Sequence, residues 1–314
     1  MDGIVVIDKP VDFTSHDVVS YVKRILGAKK AGHTGTLDPM ATGVLPVCLN
    51  EATKIAQFLT SEKKTYRAAM LLGVRTDTQD ITGKVLEKSH RVIPEEVVRS
   101  VLAGMVGKIQ QVPPVFSALK YKGKPLYKYA RAGECPEVSP REVEIFHLNI
   151  LNISFPEVVF DISCSKGTYI RTICSDIGQA LGCGACLSGL RRLQSGFFTE
   201  AMALSLKQGP PEEKKRNLLA GLVPMSEALP EFTAVEIDEL LEKKLRDGFQ
   251  PDVESMPQNV LPFLAEGDMI KFISRRGRLV AIAVMLLQAN ETAGRNGKAR
   301  AVRILRVFQG EDDQ

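Results

Sequence analysis

No charge of one sign dominates this chain, and no long apolar run interrupts it. Its 314 residues carry 41 Lys and Arg against 37 Asp and Glu, a net charge of only +4. That excludes a polycation that coats nucleic acid indiscriminately, but permits a localised basic face. The longest apolar run, Leu279 to Leu287, is about half of the roughly 20 residues a membrane-spanning helix needs. The opening residues, Met1-Asp2-Gly3-Ile4-Val5-Val6-Ile7-Asp8, lack a basic n-region and hold too short an apolar core for a signal peptide. The expectation is a cytoplasmic protein, away from membranes, with its six cysteines reduced. Cys183-Gly184-Ala185-Cys186 has metal or redox spacing, but a zinc site wants a second ligand pair at matching spacing and none exists. No metal is expected. Small buried cysteines beside a Gly-rich turn are the favoured reading.

What remains is ordinary globular material: 44% hydrophobic, 25% charged, and more length than one domain usually needs. Gly3 to Ile7 is a β-branched strand candidate. Thr14 and Asp17 have capping-box-like spacing ahead of an amphipathic helix over 15–26, which Gly27 stops. Residues 27–46 hold four glycines and two prolines with no periodicity, and read as a long functional loop. Further strands are predicted at 44–49, 65–72, 84–87, 144–154, 158–163 and 196–203. Helices are predicted at 51–59, 94–104, 126–132 and 169–181. Short strands interleaved with helices, without a βαβ rhythm, predict an α+β fold with a mixed sheet. From near Glu231 a helix over 235–247 and strands at 269–273, 279–287 and 299–308 predict a small β-barrel module.

Four places could carry chemistry. The loop around Asp38 is neither a Walker loop nor a dinucleotide fingerprint, and a tight Asp-Pro turn is its plain alternative. Ser165 to Thr172 follows a strand and opens a helix, bringing Lys166, Tyr169 and Arg171 together as for a phosphate or carboxylate partner. An ordinary strand–turn–helix junction is the alternative. Thr65-Tyr66-Arg67 begins an alternating strand, where a Tyr usually packs. Arg75, Asp77 and Asp80 between Gly73 and Gly83 read as a salt-bridged surface turn. Basic residues cluster three times: Lys120 to Arg131 interleaved with Tyr121, Tyr127 and Tyr129; Arg191 with Arg192; and Arg275 to Arg306. Charge for phosphates and rings for bases are what looped RNA asks for.

Gly32-His33-Thr34-Gly35-Thr36-Leu37-Asp38-Pro39-Met40-Ala41-Thr42-Gly43-Val44-Leu45 resembles the catalytic motif of the bacterial TruB family of tRNA pseudouridine synthases. Asp8-Lys9-Pro10, Glu51-Ala52-Thr53-Lys54, Arg75-Thr76-Asp77-Thr78, Ser117-Ala118-Leu119-Lys120, Lys166 to Arg171 and Leu190-Arg191-Arg192 match in family order. The resemblance implies a pseudouridine synthase fold over 1–230: a mixed, largely antiparallel sheet flanked by helices, with an RNA-clamping insertion at about 114–145. A PUA-like β-barrel RNA-binding domain would fill 231–314. It implies isomerisation of the T-loop uridine of tRNA (position 55) by base flipping and carboxylate attack at C1′, without cofactor, and a further role as a tRNA folding chaperone. Asp38 would act at C1′, Arg171 would hold it ionised, and Tyr66 would stack on uracil and help remove the C5 proton. Tyr169 and Leu190 would line the base pocket, His33 would brace the RNA, and Lys9 and Lys54 would support the loop or contact phosphate. The partner is the tRNA T-stem-loop. No obligate protein partner is expected, and the chain would be a monomer.

Overall fold

The structure is a computed structural model and describes residues 1–60, 63–134, 136–206, 209–257, 261–286 and 300–309. The strands of the first part are β1 (Gly3–Lys9), β2 (Ala31–His33), β3 (Thr42–Leu49), β4 (Lys64–Leu72), β5 (Val74–Thr76), β6 (Val85–Lys88), β7 (Gly107–Gln111), β8 (Lys120–Tyr121), β9 (Lys124–Pro125), β10 (Arg141–Ser154), β11 (Glu157–Cys164), β12 (Ala185–Ser195), β13 (Phe198–Thr199) and β14 (Leu204–Ser205). Ten of them form one sheet in the order β14-β1-β3-β12-β4-β11-β10-β7, with β2 on β3 and β13 on β12. Only β1–β14 and β3–β12 are parallel pairs, so the sheet is mixed and largely antiparallel.

Helices α1 (Ser15–Leu26), α3 (Glu95–Ala103) and α5 (Ile170–Ala180) cover the sheet; α2 (Ala56–Leu59) and α4 (Leu126–Arg131) are short. The expected capping box is present: the Thr14 side chain accepts from Asp17 N–H, the Asp17 carboxylate accepts from Thr14 N–H, and Gly27 closes α1 in the left-handed region at φ 65°. Val18, Val19, Val22 and Leu26 of α1 then meet Val5, Ile7, Leu45 and Val47 of the sheet in the main core.

The long loop is shorter than its composition predicts, because Ala31–His33 form β2, which pairs with the end of β3, and β3 itself already begins at Thr42. The predicted helix over 51–59 is a 3₁₀ turn at Asn50–Lys54 followed by α2. The predicted strand over 196–203 is two short pairings around a 3₁₀ turn. The central strand β12 escaped the periodicity reading. Register shifts at Leu187/Gly189 and Arg192/Gln194 break its alternation, since each bulge moves the side chains to the other face. Residues 211–215 begin α6 (Pro211–Ala220), with Pro at its first turn and Glu212 and Glu213 on the positive end of its dipole.

Beyond residue 230, β15 (Thr233–Ile237), α7 (Glu239–Arg246), β16 (Met269–Ser274), β17 (Leu279–Met285) and β18 (Val302–Val307) form an open four-stranded sheet in chain order. Among the described residues it does not close into the expected barrel. One face buries its own cluster of Val235, Leu241, Phe272 and Val280. Leu279, Ile282 and Phe308 instead join Ile4, Val6, Val44, Ile55 and Leu229 of the first part in a shared core. Packing against a neighbour covers the sheet that closure would otherwise have to cover. The basic residues Arg295 and Lys298 and the loop 290–298 lie outside the described residues. Among the described residues no helix is long and apolar enough to cross a membrane.

Candidate active site

The Asp38 loop leaves the sheet after His33, whose Cα partner is Val47, and returns at Thr42. Three anchors fix it. Ser15 Oγ accepts from Leu37 N–H at 2.8 Å and donates to the Leu37 carbonyl at 3.1 Å. The Lys9 ammonium, fully buried, donates to the carbonyls of Pro39 at 3.0 Å, Pro10 at 2.9 Å and Phe13 at 2.5 Å. Asp12 N–H donates to the Pro39 carbonyl at 2.9 Å. The backbone is therefore held on both sides of Asp38, whose side chain keeps 34% exposure.

Arg171, in the first turn of α5, has a side chain only 5% exposed. Its Nε lies 3.5 Å from Asp38 Oδ2 and its Nη1 3.8 Å from Asp80 Oδ2. Its Nη2 donates to the Phe116 carbonyl at 2.6 Å. Asp80 is committed elsewhere too: its Oδ1 accepts from Thr78 Oγ1, Thr82 N–H and Thr82 Oγ1 at 2.8, 3.0 and 2.6 Å. One guanidinium thus stands between two carboxylates, one locked and one facing open space. Burial pushes the Asp38 carboxyl above the ordinary range; Arg171 pulls it down, Asp80 pushes it up, and Lys9 pulls it down.

Asp38 opens into a cleft of about 260 Å³ whose wall includes Tyr66, Tyr169, Arg171, Leu190 and Arg192. Tyr169 precedes α5, and its backbone is gripped by the fully buried Gln111 of β7. Gln111 Oε1 accepts from Tyr169 N–H at 2.8 Å, and its Nε2 donates to the Tyr169 carbonyl at 3.1 Å. The Arg141 guanidinium stacks 4.9 Å from the Tyr169 ring centroid and donates to the Gly167 carbonyl. Among the described residues the cleft therefore offers one carboxylate, two aromatic rings and a cationic rim that includes Lys166. Such a set can hold a planar base beside a single anionic group.

The model of the TruB family pseudouridylate synthase N-terminal domain matches residues 23–170. The model of the tRNA pseudouridylate synthase B C-terminal domain matches 171–229. The tRNA pseudouridine synthase B of Syntrophus aciditrophicus is 49% identical over 98% of this chain and 99% of its own. The chain belongs to the TruB family of pseudouridylate synthases. The tRNA pseudouridine synthase B of Geobacter sulfurreducens is 44% identical over 98% of this chain and 100% of its own. A crystal structure of a Cbf5-Nop10-Gar1 complex superposes with a TM-score of 0.73 at 30% identity, covering 99% of this chain and 86% of that one.

In this TruB-family enzyme five of the residues singled out from sequence meet at the cleft: Asp38, Tyr66, Tyr169, Arg171 and Leu190. Three lie elsewhere. Lys9 sits behind the loop, on its carbonyls. His33 ends β2, and its Nδ1 accepts from Gly35 N–H at 3.3 Å. Lys54 pairs with Glu51 at 2.6 Å and borders a separate groove with Gln57 and Ile304 to Val307.

Two sequence readings are corrected. Arg191 and Arg192 are not a pair of free cations for phosphate. Arg191 is bidentate to Asp8 at 2.9 and 3.1 Å and also bonds Glu200 at 2.6 Å. Arg192 is fully buried. In the predicted surface turn, Arg75 does meet Glu87 at 3.5 Å, but Asp80 is buried and reaches Arg171. Sequence reasoning also passed over Gln111. A polar residue ending a short strand carries no periodic signal; only the two threonines flanking Asp80, ready-made donors for a buried carboxylate, could have marked that residue.

The segment 114–145 forms a β8–β9 hairpin leading into α4. Its tyrosines are sheathed in cations: Lys124 lies 4.4 Å from the Tyr129 ring, Lys122 5.4 Å from Tyr121, and Arg131 5.6 Å from Tyr127. Cys174, Cys183 and Cys186 are buried, and no cluster of three metal-ligating side chains occurs among the described residues.

Proposed function

We propose that this enzyme converts the T-loop uridine of tRNA to pseudouridine, with the uridine flipped out of the folded loop into the Asp38 cleft. Asp38 acts at C1′ as the N1–C1′ bond breaks, stabilising oxocarbenium character or adding to it. The detached uracil turns and bonds through C5. Tyr66 lies beneath the base and takes the C5 proton, while Tyr169 and Leu190 hold the base in place. His33 fills the gap left in the RNA. Lys9 supports the catalytic loop, and Lys54 contacts RNA phosphate beside the C-terminal module.

The observation that carries this reading is that Asp38 is the single carboxylate among the described cleft-lining residues, with Arg171 at 3.5 Å. A glycoside hydrolase needs a second carboxylate to activate water. An isomerase does not, because the detached base is itself the returning nucleophile. Residues 1–230 form the catalytic domain, with 114–145 as its RNA clamp, and 231–314 an RNA-binding domain of PUA type. The enzyme works in the cytoplasm as a monomer, without cofactor or obligate protein partner, and also helps tRNA fold.

The test is incubation of the purified chain with unmodified tRNA and mapping of pseudouridine by position. Product at the T-loop uridine is expected, and product elsewhere defeats the substrate claim. Release of free uracil would make the enzyme a glycosylase. Activity on a bare T-stem-loop, without guide RNA or added protein, separates it from a guide-dependent synthase.

A further inference from the structure

Arg192 is fully buried in the central strand β12, and no carboxylate pairs with it among the described residues. A buried charge without a counter-ion is costly and calls for an explanation. Two of its three nitrogens have backbone partners: Nε donates to the Val44 carbonyl at 2.7 Å, and Nη2 to the Gly35 carbonyl at 3.1 Å. The third, Nη1, is buried with no hydrogen bond. It lies 3.5 Å from the point where a Cβ on Gly35 would stand, an ordinary contact distance beneath the catalytic loop.

Its neighbour is Tyr66. The two residues are direct cross-strand partners in the β4–β12 pair, and both line the cleft. Burial pushes the Tyr66 phenol above its ordinary range, and the Arg192 guanidinium is the largest influence pulling it back down. Arg192 can only donate, so a Tyr66 phenolate is the acceptor its unbonded Nη1 could serve.

We propose that Arg192 is a positioning residue for Tyr66: it aims the phenol oxygen at the base, and its unpaired Nη1 stabilises the phenolate that accepts the C5 proton. This rests on the isomerase reading above. In that step the phenolate oxygen takes the proton from C5. The C–H electron pair forms the C5–C6 double bond, and the C6–N1 double-bond pair moves onto N1, which takes a proton from water. Tyr66, now neutral, returns its proton to water. Arg192 makes and breaks no bond; it lowers the cost of the anion that does.

Tyr66 faces Arg192 from β12, Cys164 from β11 and Asp38 from the loop, while Lys64 of its own strand and Arg171 of α5 also line the cleft. Burial pushes the Cys164 thiol up to about 11, so it stays neutral near pH 8. Lys9, brought down to about 8 by burial with Arg192 adding to the lowering, titrates in this range and moves upward in R192Q, so the Tyr66 midpoint is read on the tyrosine ring itself and not from the rate alone.

The test uses the full chain, with Arg192→Gln and Arg192→Lys beside the wild type. The Tyr66 titration is followed by NMR of ¹³C-labelled tyrosine, assigned through Tyr66→Phe, and single-turnover pseudouridylation of a T-stem-loop is measured from pH 6.5 to 9.5. R192Q should move the Tyr66 midpoint to higher pH and slow the reaction about 100-fold at pH 7, within the span that acid–base groups supply. Part of that loss should be recovered at pH 9.5, with RNA binding unchanged. R192K, which keeps a cation, should fall between. An unmoved Tyr66 midpoint, or a rate loss constant across pH, overturns the proposal. Failure of both variants to fold would assign Arg192 to structure alone and overturn it too. If the wild type makes no pseudouridine, the functional reading fails, while the NMR still decides the Arg192–Tyr66 pair.

Discussion

Gln111 holds Tyr169 by both backbone polar groups, accepting from its N–H at 2.8 Å and donating to its carbonyl at 3.1 Å. A side-chain amide in this role mimics one rung of a sheet ladder. It fixes where α5 begins, and so where Tyr169 and Arg171 face the cleft. Gln111→Leu removes both partners while conserving bulk, leaving two polar groups without bonds. A stability loss of about 1–3 kcal/mol is expected from that. The loss in kcat/KM should be about tenfold or more, because a small misplacement of positioning groups is costly. Gln111→Glu keeps the acceptor and should retain more activity. Thermal melting and steady-state kinetics on the two variants check this, and equal losses in both would refute the two-bond account.

Asp38 carries the opposite sign of stability. Burial raises its folded pKa above the unfolded value, so folding favours its neutral form. The stability this contributes is present at acid pH and lost as pH rises through the folded pKa. At neutral pH the ionised carboxylate therefore costs stability. Asp38→Asn should abolish pseudouridine formation, leave RNA binding nearly unchanged, and raise Tm by a few degrees at pH 7. The gain in Tm should shrink toward pH 4. A variant that still makes pseudouridine would overturn the assignment of Asp38.

Asp80 pushes the Asp38 carboxyl up and shares Arg171 with it. Asp80→Asn removes that like charge, so the acid limb of the rate profile should move to lower pH. The rate on the plateau should nevertheless fall about tenfold or more, because Arg171 loses one of the two carboxylates that centre it. A pH–rate profile for D80N against the wild type reads both effects. A limb that moves upward would show that Asp80 acts through loop structure and not through charge.

How much of this was legible in the sequence depends on whether a residue's role is local. The Thr14–Asp17 capping box, Gly27 and the α1 face were readable, because caps and periodicity are written within a few neighbouring positions. The loop Asp38 and the junction Arg171 stood out for the same reason: glycine and proline punctuation marks them. What could not be read was long-range. Arg192 looks like half of a surface Arg pair until β12 is placed between β3 and β4. Asp80 looks like a turn residue until α5 brings Arg171 to it. The bulges that hid β12 are set by pairing with β4, which no window of sequence contains.

Lys9 offers a check with a defined pH window. Burial lowers its folded pKa to about 8 from 10.5. The unfolded chain therefore binds the extra proton more readily, and the cost of keeping Lys9 charged in the fold is full below about pH 8. It is relieved as pH rises from there to 10.5, so stability gained through Lys9 grows over that interval. Lys9→Met removes the donor from three carbonyls at once, those of Pro10, Phe13 and Pro39. Urea denaturation should show K9M less stable by about 2–3 kcal/mol, with the deficit larger at pH 9.5 than at pH 7.5.

The shared core predicts that the two parts of the chain stand or fall together. Phe308, fully buried, comes from the end of the C-terminal module yet packs in a cluster with Ile4, Val6 and Leu229. Phe58 and Phe232 meet edge-to-face across the same junction, with ring centroids 5.7 Å apart. A tethered, freely swivelling module would need neither contact. Phe308→Ala should cost about 3–5 kcal/mol, as for a large aromatic removed from a core. Because the cavity opens against β1 and β3, which flank the catalytic loop, protection of the Ile4–Ile7 amides in hydrogen exchange should fall along with Tm. Exchange confined to residues beyond 230 would instead mean that the module unfolds alone and that the junction contributes little.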